Sequence, residues 1–226
     1  MRQLVEGVRA NIAEGLGGLA ERIEVKQRWT DLVLEPDILD QVQSLVSRVR
    51  HAHEVYETWG FHQKVPRGIG VAALFTGPPG TGKTMVAGLI ARELELELYQ
   101  VDLSQVVSKW VGETEKQLAR IFDAAEAGHA LLLFDEADAL FAKRTQDVKG
   151  AVDRYANLEV NFLLQRIERF GGITVLTTNL DVSIDPALIR RLAAKIRFDL
   201  PGEDERTELW RRALDTGAAP VDAGID

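Results

Sequence analysis

The chain has 226 residues, room for one or two domains with a core that needs no covalent staples, and its 46% hydrophobic and 27% charged residues exclude wholesale disorder. Acidic residues outnumber basic ones, 35 to 27, and the net charge of -8 speaks against broad, phosphate-driven binding of nucleic acid. Without cysteine there are no disulfides, thiolate metal sites or cysteine nucleophiles; the longest apolar runs, Val71–Phe75 and Ala130–Phe134, are too short to cross a membrane. Glu6, Arg9 and Glu14 interrupt any signal-peptide core, so the expectation is a soluble, cytoplasmic protein.

From Arg2 to Glu24 apolar residues recur at Leu4, Val5, Val8, Ile12, Leu16, Leu19 and Ile23, a helical spacing weakened by Gly7, Gly15, Gly17 and Gly18. Residues 1–29 are therefore expected to form an amphipathic helical extension, packed on its own domain or on a partner surface. A second helix is expected to start at Pro36, which suits a first-turn position, and to run toward Trp59. Its His51 and His53 are two apart and diverge on a helix, so they do not make a metal pair.

From residue 70 short apolar strands alternate with helices. The strands are read at Val71–Thr76, Leu96–Val101, Leu131–Phe134, Ile173–Thr177 and Lys195–Phe198. Helices are read at Thr84–Leu94, Glu113–Glu126, Arg154–Arg169 and Pro186–Leu192, with a polar loop at 144–152. Uninterrupted apolar strands of this kind predict an α/β fold, a five-stranded parallel sheet between helices.

Residues 77–84 read GPPGTGKT, the pattern G-x-x-x-x-G-K-[ST] of a phosphate-binding loop, lying between an apolar strand and a helix as that loop requires. Gly80 and Gly82 let successive N–H groups turn toward phosphate oxygens, Pro78 and Pro79 stiffen the entry, and Gly77, Thr81 and Met85 complete the segment. Lys83 offers a compact positive charge to the β- and γ-phosphates, and the Thr84 hydroxyl is a ligand for Mg²⁺. About 50 residues on comes LLLFDEAD (131–138): a buried strand with carboxylates at its carboxyl end, where open α/β sheets bind ligands. Asp135 is placed to hold Mg²⁺ and Glu136 to orient and polarise an attacking water. Asp123 and Asp138 are read as helix-end or surface carboxylates.

Together these motifs resemble the AAA+ ATPases, P-loop NTPases, and within them the katanin and spastin-like group and bacterial single-ring AAA ATPases. The resemblance covers about residues 30–215 and implies a large α/β subdomain over 30–201 and the start of a helical lid, cut short, over 202–226. Ser108 to Lys116 (SKWVGETEK) matches that group's pore-loop segment, so Lys109, Trp110 and Val111 are expected to grip substrate. Thr177-Thr178-Asn179 resembles the sensor-1 motif, with Asn179 bonding the γ-phosphate and the attacking water. Residues 184–206 look like the region that carries the arginine finger. Counted back from Pro201, Arg191 takes the first finger position, with Arg190 the alternative, and Ala194 replaces the second. The adenine pocket falls by analogy at Asp31–Val33 and Trp59-Gly60-Phe61; the other reading of Trp59 and Phe61 is that they staple helix to sheet.

The resemblance implies ATP and Mg²⁺ as cofactors, a homo-hexameric ring and a protein substrate remodelled by threading. Two other readings stay open: a switch or loader acting on DNA, and a non-hydrolysing nucleotide-binding assembly module.

Overall fold

A computed structural model describes residues 18–61, 70–103, 113–138, 162–179 and 189–214. Six strands form one sheet: β1 (Ala20–Ile23), β2 (Val71–Thr76), β3 (Glu97–Val101), β4 (Ala130–Phe134), β5 (Ile173–Thr178) and β6 (Ala194–Arg197), in the order β1-β3-β4-β5-β2-β6. All neighbours pair in parallel except β1, which runs antiparallel to β3. The described helices are α1 (Pro36–Arg50), α2 (Lys83–Glu93), α3 (Glu113–Ala127), α4 (162–169) and α5 (Glu203–Leu214).

The central strands read as unbroken apolar runs because both faces are covered, and period-two alternation sorts their side chains between two cores. Leu74 of β2 and Leu132 and Phe134 of β4 meet α3 and α4 through Leu118, Phe122, Leu163 and Ile167. Phe75 of β2 and Leu131 and Leu133 of β4 meet α1 and α2 through Val42, Leu45, Leu89 and Ile90. Phe75 and Phe198 close one core with ring centroids 5.0 Å apart, and Phe122 stacks on Phe134 at 5.9 Å in the other. Each such buried side chain contributes roughly 1.5–3 kcal/mol of transfer free energy. The result is a three-layer sandwich that holds the carboxyl ends of β2, β4 and β5 side by side.

The N-terminal expectation needs correction. Ala20–Ile23 is not helix but an edge strand, registered Ala20↔Val101 through Ile23↔Leu98. The glycines deny the helix: Gly18 has φ +83, and the next residues find backbone partners on the open edge of β3 instead. Arg22 and Glu97, 2.5 Å apart, fasten the pair. The chain then runs as a strap along α2. Val25 packs so closely on Gly88 that a Cβ there would lie 2.0 Å from Val25 Cγ2. Arg92 donates to the Gln27 carbonyl at 2.8 Å, and Glu93 accepts from both Trp29 Nε1 (2.8 Å) and Arg50 (2.7 Å). Those two donors hold the Glu93 carboxyl below its ordinary pKa. Residues 1–17 lie outside the described residues.

α1 begins at Pro36 as expected but ends at Arg50, nine residues short of Trp59. The chain continues as a π-helical turn, Glu54–Thr58, whose wider ring is closed by Trp59 N–H on the Glu54 carbonyl at 3.0 Å. The other strands and helices fall within one residue of expectation, except that only 162–169 of the fourth helix and Ile189 of the fifth are described as helix.

Candidate functional site

The loop after β2 turns as its sequence requires. Gly77, Gly80 and Gly82 have φ of +135, +79 and +90, and Gly82 is the N-cap of α2, so the first N–H groups of the helix open onto the loop. Gly77 has a second duty that its motif does not announce. A Cβ there would sit 1.9 Å from the carbonyl oxygen of Phe198, beside the end of β6, so no other residue fits. Within the loop, Thr81 Oγ1 donates to the Pro78 carbonyl at 2.9 Å.

Lys83 opens α2 and is 7% exposed. Its Nζ donates to the carbonyls of Gly77 and Pro78, both at 2.7 Å, and to Asn179 Oδ1 at 3.0 Å. Burial lowers its pKa below the ordinary lysine value, and the facing carboxylates of Asp135 and Asp138 oppose that shift. The loop lysine and the residue proposed for sensor 1, 96 positions apart in sequence, thus meet at one point.

Asp135 and Glu136 follow β4 immediately. Asp135 accepts from two sides: Gln100 Nε2 at 3.2 Å on one oxygen and the Thr177 hydroxyl on the other. Glu136 is exposed and takes a left-handed backbone, φ +50, which a non-glycine residue adopts only where its surroundings hold it there. Asp138, expected at a helix end or on the surface, is half-buried, accepts the Thr178 hydroxyl and faces Lys83. The apolar strand ahead of it brings it into the site. Asp123 does lie on the surface, paired with Arg166 at 2.5 Å.

Thr84 and Asp135 fit Mg²⁺ by donor chemistry: one hydroxyl and one carboxylate are hard oxygen donors, and this ion keeps several waters rather than a full protein cage. Among the described residues no group of three or more His, Asp or Glu able to hold a metal occurs.

Several expected residues stand elsewhere. Arg191 pairs with Glu168 of its own chain at 2.6 Å, Arg190 is exposed, and Ala194 opens β6 opposite Ala73. Trp59 and Phe61 are 62% and 43% exposed, and Gly60 between them has φ +71. Asp31 accepts the Arg28 N–H at 2.7 Å, and the Leu32 carbonyl accepts from Arg212 of α5 at 3.2 Å. Met85 packs at the margin of the α1–α2 core. Lys109, Trp110 and Val111 lie outside the described residues, while Glu113–Lys116 form the first turn of α3. Gln100 and Thr177 were not legible as site residues, since neither belongs to a motif that assigns it a ligand. Only strand pairing shows that both face Asp135.

Comparison with known proteins bears on this arrangement. The family model for the ATPase family associated with various cellular activities (AAA) matches residues 73–200, more than half of the chain. An uncharacterized AAA family ATPase, y4kL, of Sinorhizobium fredii is 35% identical over 192 residues, covering 83% of this chain and 54% of the relative. The Cdc48 homolog (cell division cycle protein 48) of Archaeoglobus fulgidus is 30% identical over 215 residues, covering 90% of this chain and 29% of the relative. The chain thus spans about half, or less, of the length of these relatives. Among solved structures, the FIGL-1 AAA domain superposes with a TM-score of 0.65 at 22% identity, over 90% of this chain and 65% of that one. Matched across the sheet that carries its phosphate loop and acidic strand end, the chain belongs to the AAA family of ATPases.

Proposed function

We propose that this chain hydrolyses Mg²⁺-bound ATP and uses the turnover, within a homo-hexameric ring in the cytoplasm, to remodel or unfold a protein substrate. The observation that carries the reading is the meeting of Lys83 with Asn179 and with the carboxylates of Asp135 and Asp138 at the carboxyl ends of three adjacent strands, Glu136 being the residue next to Asp135. The loop amides and Lys83 bind the phosphates. Thr84 and Asp135 hold Mg²⁺, which when bound neutralises the developing phosphate charge. Glu136 lies beside that ligand pair without belonging to it, and there it orients and polarises the attacking water; Asn179 aligns that water with the γ-phosphate.

Arg191 completes a neighbouring subunit's site, a role open to it because its pairing with Glu168 is only partly buried and exchangeable. Trp110, with Lys109 and Val111, grips the substrate chain. The acidic balance favours a protein substrate over the DNA-acting alternative. No helix among the described residues is long and apolar enough to cross a membrane.

Glu136→Gln tests the chemistry. It should retain ATP in calorimetry and release no phosphate, because binding does not need the water-activating carboxylate. Turnover at the parent rate would remove Glu136 from this role. Trp110→Ala tests the mechanical half: ATP hydrolysis should stay within a few-fold of the parent while ATP-driven unfolding of a protein partner is lost. A large fall in melting temperature would show instead that Trp110 is a core residue, since a buried aromatic costs roughly 3–5 kcal/mol to remove.

A further inference from the structure

Thr177 stands at the end of β5, is 1% exposed, and makes three hydrogen bonds to the three residues that follow β4. Its hydroxyl donates to Asp135 Oδ1 and accepts the Glu136 N–H at 3.1 Å. Its carbonyl accepts the Ala137 N–H at 2.9 Å. The middle one of those residues is Glu136, with its left-handed φ of +50. A hydroxyl has one proton to give and lone pairs to receive, so Thr177 satisfies a carboxylate and an amide at the same time. The adjacent Thr178 points to the opposite face of the strand and donates to Asp138.

We propose that Thr177 is a positioning residue that fixes the metal-binding carboxylate and the water-activating carboxylate as one unit. The proposal rests on the reading of Asp135 and Glu136 given above. One hydroxyl sets the rotation of Asp135, leaving the carboxylate's remaining lone pairs for the water shell of the ion. The same hydroxyl anchors the amide of the strained residue that carries the second carboxylate. Gln100 Nε2, at 3.2 Å from Asp135 Oδ2, closes the carboxylate from its other side. Removing the Thr177 hydroxyl frees Asp135 to rotate and releases the Glu136 turn, while the Ala137 bond, which is backbone to backbone, persists. Outer partners of metal ligands typically change metal affinity by about 10–100-fold when lost.

The test compares the parent with Thr177→Val, which keeps the shape and deletes the hydroxyl, and Thr177→Ser, which restores it. ADP and ATP binding are measured by calorimetry in excess EDTA and across a Mg²⁺ titration, with Asp135→Asn as the reference. Thr177→Val should bind metal-free nucleotide within about two-fold of the parent and need roughly ten-fold more Mg²⁺ for half-maximal enhancement of binding. Thr177→Ser should return the Mg²⁺ requirement to near the parent's. An unchanged Mg²⁺ requirement in Thr177→Val, with the requirement raised in Asp135→Asn, overturns the proposal and leaves the reading of Asp135 intact. An unchanged requirement in both overturns that reading and the proposal with it. Should Thr177→Val not fold, Gln100→Ala and Thr177→Ser carry the comparison: a parental Mg²⁺ requirement in Gln100→Ala and a raised one in Thr177→Ser overturn the clamp.

Discussion

Lys83 Nζ lies 3.0 Å from Asn179 Oδ1, joining the first turn of α2 to the end of β5. The contact brings the cation of the phosphate loop and the polar tip of the proposed sensor together. It also holds an ammonium group where burial disfavours its charge.

That placement predicts a trade between function and stability at Lys83. A lysine whose folded pKa is lowered binds its proton less well in the folded state than in the unfolded state. Its burial therefore opposes folding at every pH below the folded pKa, and the opposition fades as pH rises from there toward the ordinary lysine value. Lys83→Met, of similar length and without charge, should bind ATP too weakly to detect by calorimetry. Its melting temperature at neutral pH should equal or exceed the parent's, and any excess should shrink at alkaline pH. A fall of several degrees would mean that the three acceptors of Nζ outweigh the burial cost.

Arg191 is expected to act in trans. Its bond to Glu168 spans a partly exposed pair, of the kind worth at most about 1 kcal/mol, so breaking it on assembly costs little. Arg191→Ala should bind ATP normally yet hydrolyse it poorly, because such arginines supply on the order of 10³–10⁵ in rate. Mixing Arg191→Ala with Lys83→Ala should recover activity, since the first keeps an intact phosphate site that the second's Arg191 completes. No recovery at any ratio, with assembly confirmed by light scattering, would move the finger to Arg190 or Lys195.

What the sequence made legible and what it hid divide along physical lines. The phosphate loop, β2 and β4 could be placed because glycine spacing and unbroken apolar runs are local signals. β1 could not: Leu19 and Ile23 keep a spacing that suits a helix, and only the open edge of β3 decides that their backbone pairs as a strand. Asp138 and Thr177 escaped for a related reason. Asp135 and Asp138 are close in the chain, but their hydroxyl donors lie 42 and 40 residues away, and strand pairing alone brings them together. The same holds for the second duty of Gly77, which depends on Phe198.

Gly88 offers a test of the strap that joins β1 to the phosphate-loop helix. In an isolated helix Gly→Ala is favourable by up to about 1 kcal/mol, because glycine gives up the most backbone freedom on folding. Here the new methyl would fall 2.0 Å from Val25 Cγ2 and 2.6 Å from its Cβ, so rotating the valine cannot relieve the overlap and the strap itself must lift. Overpacking of this kind costs typically about 1–3 kcal/mol, enough to reverse the helical gain. Gly88→Ala should therefore lower the melting temperature by a few degrees. Val25→Gly alone should also destabilise, by loosening the strap. The double variant should be more stable than the sum of the two single changes predicts, because the methyl then occupies the space Val25 vacated. Additive losses in thermal denaturation would show that Val25 and Gly88 do not touch, and the strap would then be held to α2 by its bonds to Arg92 and Glu93 instead.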